Sequence, residues 1–188
     1  MTRHFDMVAR VYDRLIPRSD TGRLTRLLGL PVDGSMLDAG GGTGRVSGRL
    51  RPLVGQLVIT DASRGMMNQA RRRRGLNAVR AIAERLPFAE GRFDRILVVD
   101  ALHHFANAQQ AITDFARVLK PGGRIVIEEP NIRRKGIRLL ALAERAARMG
   151  SRFFDADQIV AMMHRVGLSA TVVEPRSLIF WITADKPA

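Results

Sequence analysis

A chain of 188 residues, 46% hydrophobic and 26% charged, has room for one domain with a substantial core. It carries no apolar run long enough to cross a bilayer and no secretory signal, so a cytoplasmic location is the default expectation. The absence of cysteine excludes disulfides, thiolate metal sites and a cysteine nucleophile. The net charge of +13 comes almost wholly from arginine and suits an anionic partner such as nucleic acid, a membrane surface or an acidic substrate. The arginines are scattered along every segment, however, which is the pattern of a solvated surface rather than of one charged site. The one block, Arg71 to Arg74, ends an expected helix, where cations complement the helix dipole.

In chain order, apolar residues at Phe5, Val8, Val11, Tyr12 and Leu15, then at Leu24, Leu27 and Leu28, have helical spacing on both sides of Pro17 and predict two helices before the core. From Ser35 the pattern changes to short apolar runs alternating with amphipathic stretches, which predicts β-α-β units and a doubly wound, mostly parallel α/β sheet. The expected strands are Ser35 to Ala39, Gln56 to Thr60, Asn77 to Ile82, Phe93 to Val99 and Gly123 to Glu128, each mostly apolar as a strand covered on both faces must be. The expected helices between them are Gly44 to Leu53, Arg64 to Arg74 and Ala108 to Leu119, the last stopped by the turn Lys120-Pro121-Gly122-Gly123. Beyond Pro130 follow a helix over Ile137 to Met149, another over Asp157 to Val166, and two strands joined near Pro175 and Arg176. Those strands complete seven as an antiparallel C-terminal hairpin at a sheet edge.

The segment Leu37-Asp38-Ala39-Gly40-Gly41-Gly42-Thr43-Gly44 stands where the first strand hands over to a helix, and a tight turn with close ligand approach there requires residues without a Cβ. The dinucleotide spacing G-x-G-x-x-G fails from Gly40, Gly41 and Gly42 alike. Asp38, just before the glycines, would repel a pyrophosphate but suits a ligand with an ammonium group. Asp61, at the end of the second strand, is placed to accept hydrogen bonds from ribose hydroxyls. A nucleoside carrying a cationic amino-acid tail satisfies both carboxylates. A plain glycine turn with two capping aspartates is the alternative.

At these residues the chain resembles the class I S-adenosylmethionine-dependent methyltransferases, and more closely the branch that includes the ubiquinone and menaquinone C-methyltransferases. The resemblance runs from Phe5 to about Glu129 through FDMVARVYDRL, LDAGGGTGR, ITDASRGMM, AERLPFAEGRFDRI, VVDALHHF and RVLKPGGRIVIEEP, in family order and spacing. It implies a Rossmann-like methyltransferase fold over residues 1–188 as a single domain: N-terminal helices over 1–30 as a substrate lid, a cofactor-binding core over 35–130, and helices with the edge hairpin over 131–188. It further implies that Asp38, Gly40, Gly42 and Gly44 surround the methionine end and sugar of S-adenosylmethionine, or of S-adenosylhomocysteine as bound product. Asp61 would take the ribose, with Ala62, Met66, Ala83 and Glu84 around the adenine. Val99 and Asp100 would lie near the methionine tail and transferable methyl, and Tyr12 would close over the cofactor or serve as a core aromatic. One departure stands out: the position before Ala83, often Asp or Asn in the family, is Ile82, which cannot accept a bond from the adenine amino group.

Transfer of an activated methyl needs a nucleophile held in line and water kept out, with no metal or covalent residue. For a phenol or hydroquinone acceptor a base would help, and His103 and His104 stand at the strand mouth where ligands bind in open α/β sheets. The same positions also fit helix-turn residues, one packed and one solvated. Glu128, Glu129 and Asn131 either face the substrate or cap the loop after the fifth strand. A small-molecule acceptor, quinone-like or otherwise lipophilic, leads these expectations. The alternatives are an RNA or DNA methyltransferase, against which stand VVDALHHF after the fourth strand and the missing cysteine; a non-catalytic S-adenosylmethionine binder; and an oxidoreductase, against which stands the failed dinucleotide spacing.

Overall fold

In the computed structural model residues 19–134, 151–174 and 178–188 are described. The first expected N-terminal helix, Tyr12, the expected helix Ile137 to Met149 and the turn at Pro175 and Arg176 lie outside them. The elements are α1 (Thr21–Leu28), β1 (Val32–Ala39), α2 (Ser47–Leu50), β2 (Val54–Asp61), α3 (Arg64–Ala70), β3 (Asn77–Arg80), β4 (Phe93–Val99), α4 (Ala108–Val118), β5 (Leu119–Pro130), α5 (Ala156–His164), β6 (Ser169–Val173) and β7 (Ile179–Asp185). The strands form one seven-stranded sheet in the order β3-β2-β1-β4-β5-β7-β6. Strands β1 to β5 are mutually parallel, and β7 runs antiparallel to both β5 and β6. This is the expected doubly wound sheet with its edge hairpin.

Both faces of the sheet are covered. Leu37, Ile96, Val98, Ile125 and Ile127 pack with Ile112 and Phe115 of α4 and Met163 of α5 on one side. On the other, Met36, Leu57, Leu97 and Val126 pack with Leu24 and Leu28 of α1 and Met67 of α3. Four of the five described helices start where a side chain satisfies free N–H groups: Asp20 caps α1, Ser63 caps α3, Asn107 caps α4, and Asp155 with Gln158 forms a capping box on α5, whereas the short α2 has no side-chain cap. Helix α5 therefore begins just before the expected Asp157.

Several boundaries differ from expectation for local reasons. The helix expected over Gly44 to Leu53 shrinks to α2 plus a short 3-10 turn, Arg51–Leu53, because the glycine turn continues to Val46 and Pro52 lacks an N–H. Helix α3 stops at Ala70, so the arginine block forms a turn leading to Gly75, whose φ is 75°. Strand β3 stops at Arg80, which leaves Ala81 and Ile82 as a crossing loop. Strand β5 begins at Leu119 and not at Gly123, because Leu119 pairs with Phe93 and the next paired residue, opposite Arg95, is Arg124. Residues 120–123 are thus a bulge inside the strand, with Gly122 at φ 70°.

The arginines also have a packing role that composition does not reveal. Arg51, Arg73, Arg80, Arg95, Arg117 and Arg124 donate to the backbone carbonyls of Gly75, Thr43, Ala62, Leu28, Phe88 and Leu27 respectively. Six guanidinium groups therefore tie down loop ends and chain crossings, satisfying carbonyls that no ladder reaches. Among the described residues no helix is long and apolar enough to cross a membrane.

Candidate active site

The strand order reverses between β1 and β4, so the connections leaving their carboxyl ends diverge and open a crevice there. Its floor is the glycine turn. Gly40, Gly42 and Gly44 have φ of 72°, 57° and 76°, the left-handed region that a side chain strains. The N–H groups of Gly40 and Gly41 both donate to the Thr60 carbonyl, at 2.8 and 3.0 Å, which ties the turn to β2. A Cβ on Gly40 would lie 2.7 Å from the Ala101 Cβ, and one on Gly44 would lie 2.5 Å from Leu76. Gly40 thus lets the turn meet the loop after β4, whereas Gly44 permits packing under the turn.

Two hollows sharing Gly40, Gly42 and Asp100 make up the crevice. The larger, about 220 Å³, is walled by Asp61, Ala62, Ser63 and Met66 on one side, by Ala81 to Glu84 beyond them, and by Ala101 with His104, Phe105 and Ala106 opposite. The smaller, about 40 Å³, is lined by Asp38, the turn, Thr43, Arg45, Val46, Val99 and Asp100. Of the residues singled out in the sequence, Asp38, Gly40, Gly42, Asp61, Ala62, Met66, Ala83, Glu84, Val99, Asp100 and His104 line one hollow or the other. Gly44 and His103 line neither. Ser63, Ala101, Phe105 and Ala106 were missed: an N-cap serine and a loop of small and aromatic residues carry no signal that separates lining from packing.

The two carboxylates have contrasting surroundings. Asp61 Oδ1 accepts from the Ser63 N–H at 2.8 Å and Oδ2 from the Gly42 N–H at 3.1 Å, which fixes the side chain at the crevice wall. Asp38 is fully buried, and burial pushes its carboxyl up to about 6 despite a hydrogen bond from the Ser47 hydroxyl to Oδ2. Its Oδ1 is buried with no hydrogen-bond partner among the described residues. A buried acceptor left in this state is costly unless a donor arrives.

The far wall is shaped by long-range contacts. Glu129, buried on β5, accepts from the N–H groups of Ala101 and Leu102 at 3.0 and 2.8 Å, and its Oε2 lies 2.6 Å from His103 Nδ1. His103 is buried, stacks on Phe153 at 4.5 Å, and has its Nε2 3.9 Å from Asp100 Oδ1. Asp100 itself has a φ of 51°, a strained conformation for a residue with a Cβ, held by a bond from its N–H to the Glu128 carbonyl. His104 faces the larger hollow with Nδ1 3.2 Å from the Ser151 hydroxyl. Glu128 turns to the other face of the sheet and accepts from Trp181 Nε1 at 2.8 Å; burial raises its carboxyl above the ordinary range. Asn131 Oδ1 accepts from the Arg133 N–H.

The wall at residues 81–88 is braced from α4. Asp114, buried, accepts from the Leu86 N–H at 2.6 Å and from Arg117, which also donates to the carbonyls of Leu86 and Phe88. Glu84 accepts from the Asn107 N–H at 3.0 Å. Asp114→Ala leaves a buried N–H and a guanidinium without their acceptor and is expected to destabilise the fold by about 2–3 kcal/mol. A urea-unfolding midpoint equal to that of wild type would disprove the brace.

Comparison with known proteins identifies relatives of the chain and of its fold. Residues 37–127 match the family described as methyltransferase domain. A ubiquinone/menaquinone biosynthesis C-methyltransferase of Coxiella burnetii is 40% identical over 104 residues, which is 50% of this chain and 42% of that relative. The chain thus matches less than half the length of that protein. Among solved structures, a methyltransferase of Thermotoga maritima superposes with a TM-score of 0.80 at 21% identity, covering 99% of this chain and 100% of that one. A geranyl diphosphate C-methyltransferase of Streptomyces coelicolor, solved with S-adenosylhomocysteine, gives 0.72 at 16% identity, covering 89% and 76%. At these identities the two structures establish a shared fold.

Proposed function

We propose that this chain, whose residues 37–127 belong to the methyltransferase domain family, is an S-adenosylmethionine-dependent methyltransferase acting on a small, quinone-like or other lipophilic acceptor. The observation that carries the reading is the unpartnered buried oxygen of Asp38 across the glycine turn from Asp61, whose carboxylate is already oriented by two backbone N–H groups. Asp38 would hold the ammonium of the cofactor's amino-acid tail in the smaller hollow, and Asp61 would accept from the ribose hydroxyls. Ala62, Met66, Ala83 and Glu84 would surround the base, with Val99 and Asp100 beside the tail. The turn at Gly40 and Gly42 lets the backbone approach the ligand without a Cβ in between.

When bound, S-adenosylmethionine supplies a methyl group already activated on a sulfonium. What the protein adds is position, exclusion of water and a place for the acceptor's proton. His104, in the wall of the larger hollow, is the proposed base for a phenolic or hydroquinone proton. His103, turned away toward Glu129, is the proposed positioning residue that holds the loop beneath it. The quinone-like acceptor is suggested by what the Coxiella burnetii relative is named for.

The test is transfer of an isotope-labelled methyl to a short-chain hydroquinone under reducing conditions, read by mass spectrometry. Transfer to wild-type product is expected, and His104→Ala is expected to lower turnover by about 100-fold with cofactor affinity unchanged. Full turnover by that variant would remove His104 from the chemistry. Cofactor binding without transfer to any phenolic or hydroquinone acceptor would remove the proposed acceptor class.

A further inference from the structure

Residues 45–85 contain ten arginines, no lysine and two carboxylates, Asp61 and Glu84, and so hold eight of the chain's thirteen net positive charges. The fold gathers this stretch at one end of the sheet. Strand β3 is the outermost of the seven strands, with β2 as its neighbour, and α3 packs over the pair. Arg51 Nε donates to the Gly75 carbonyl and Arg80 Nε to the Ala62 carbonyl, both at 2.9 Å, which ties the turn after α2 and the end of β3 to the segments that flank α3. Arg64, Arg71, Arg72, Arg74, Arg80 and Arg85 are exposed along this edge. Helix α3 is only about 10 Å long, so the two ends of the patch act on one surface.

Elsewhere the cations are matched: Arg23, Arg117, Arg124 and Arg133 each form an ion pair with a carboxylate. The side chains of Arg64, Arg72, Arg74 and Arg85 make no hydrogen bond or ion pair among the described residues. Two observations favour lipid headgroups over nucleic acid as the anion they meet. Residues 45–85 contain no aromatic residue and so offer no platform on which a base could stack. Ile82, between Arg80 and Arg85 in the chain, stands in the wall of the larger hollow, is 54% exposed and belongs to neither core cluster. A large apolar side chain flanked by cations can enter the boundary between headgroups and acyl chains while the basic groups stay with the phosphates.

We propose that the β3 edge docks the protein on an anionic membrane surface, with its arginines on the headgroups and Ile82 inserted beside them. The mouth of the larger hollow then faces the bilayer, and the lipophilic acceptor proposed above reaches it without crossing water. The docking does not depend on the methyltransferase reading and is tested without cofactor.

The test is co-sedimentation of the full chain with vesicles of phosphatidylcholine alone and of equal parts phosphatidylcholine and phosphatidylglycerol, in about 0.1 M salt. Wild type is expected to bind the anionic vesicles at least about 50-fold more tightly. Each basic side chain at such a surface contributes about fivefold, so the combined variant Arg64→Gln, Arg72→Gln, Arg74→Gln, Arg85→Gln is expected to lose about 100-fold or more. Ile82→Ser is expected to lose about tenfold. A control removing the same charge from exposed arginines outside the edge, Arg26→Gln, Arg134→Gln, Arg152→Gln, Arg165→Gln, is expected to lose less than about tenfold. Thermal melts establish that the variants are folded; if the combined variant is not, Ile82→Ser and the wild-type preference between vesicles decide. Equal wild-type affinity for the two vesicles, equal losses in the combined variant and the control, or wild-type binding by Ile82→Ser would overturn the proposal. Tighter binding to a duplex RNA than to the anionic vesicles in the same buffer would overturn it as well and assign the edge to nucleic acid.

Discussion

Asp61→Ala is expected to weaken S-adenosylhomocysteine binding by about 100-fold or more, since it removes the proposed ribose acceptor and two bonds that shape the turn. In the free protein the carboxylate accepts from the Gly42 and Ser63 N–H groups, one on the glycine turn and one at the start of α3. A hydrogen bond to a charged group contributes about 1.5–3 kcal/mol, so loss of the ribose contacts alone removes more than a factor of ten. Asp61→Asn keeps one acceptor oxygen and is expected to fall between wild type and alanine. Calorimetry gives the three affinities, and an unchanged value for the alanine variant would take Asp61 out of the site.

Asp38→Asn is expected to have opposite effects on stability and on binding. The raised value of about 6, against an ordinary 3.8, means that the folded protein retains a proton that the unfolded chain has already released at intermediate pH. Folding stability is therefore greatest below the unfolded value, is lost as pH rises from about 4 to 6, and stays reduced by up to about 3 kcal/mol above that window. The asparagine keeps an acceptor for Ser47 and carries no charge, so the ligand-free variant is expected to melt a few degrees above wild type at neutral pH. Binding behaves the other way. A cationic tail requires the ionised form, so wild-type affinity is expected to rise through pH 6 and level off above about 7, and the asparagine variant to bind weakly at every pH. A variant that melts lower and binds normally would refute both the burial penalty and the ammonium site.

Asp38 and Asp61 stand out in the sequence because each follows an apolar run, Asp38 two residues before the glycine turn and Asp61 at the end of the second strand, whereas the contact of Asp61 with Gly42 comes from the pairing of β1 with β2. The neighbouring histidines were not separable in the same way. His103 and His104 are adjacent, yet one is buried against Glu129 and the other walls the larger hollow. What separates them is a carboxylate brought over from β5, together with the left-handed Asp100 that turns the chain between β4 and the histidines. Where the sequence leaves Glu129 either facing the substrate or capping the loop after its own strand, it instead accepts from the N–H groups of Ala101 and Leu102 in the loop after β4, a contact across the sheet. Likewise, nothing near Leu86 in the chain announces that Asp114 and Arg117 hold the adjoining wall from α4.

The alternation of strands and helices, the handover at the glycine turn and the two carboxylates beside it follow from periodicity and backbone sterics, which act over a few neighbouring residues and can be read along the chain. Which histidine reaches the crevice, which carboxylate stays unpaired and where β5 begins depend on strand pairing and burial between segments far apart in sequence. Those contacts are set by the whole packed sheet, because desolvation and hydrogen-bond partnership exist only once the distant segments have met.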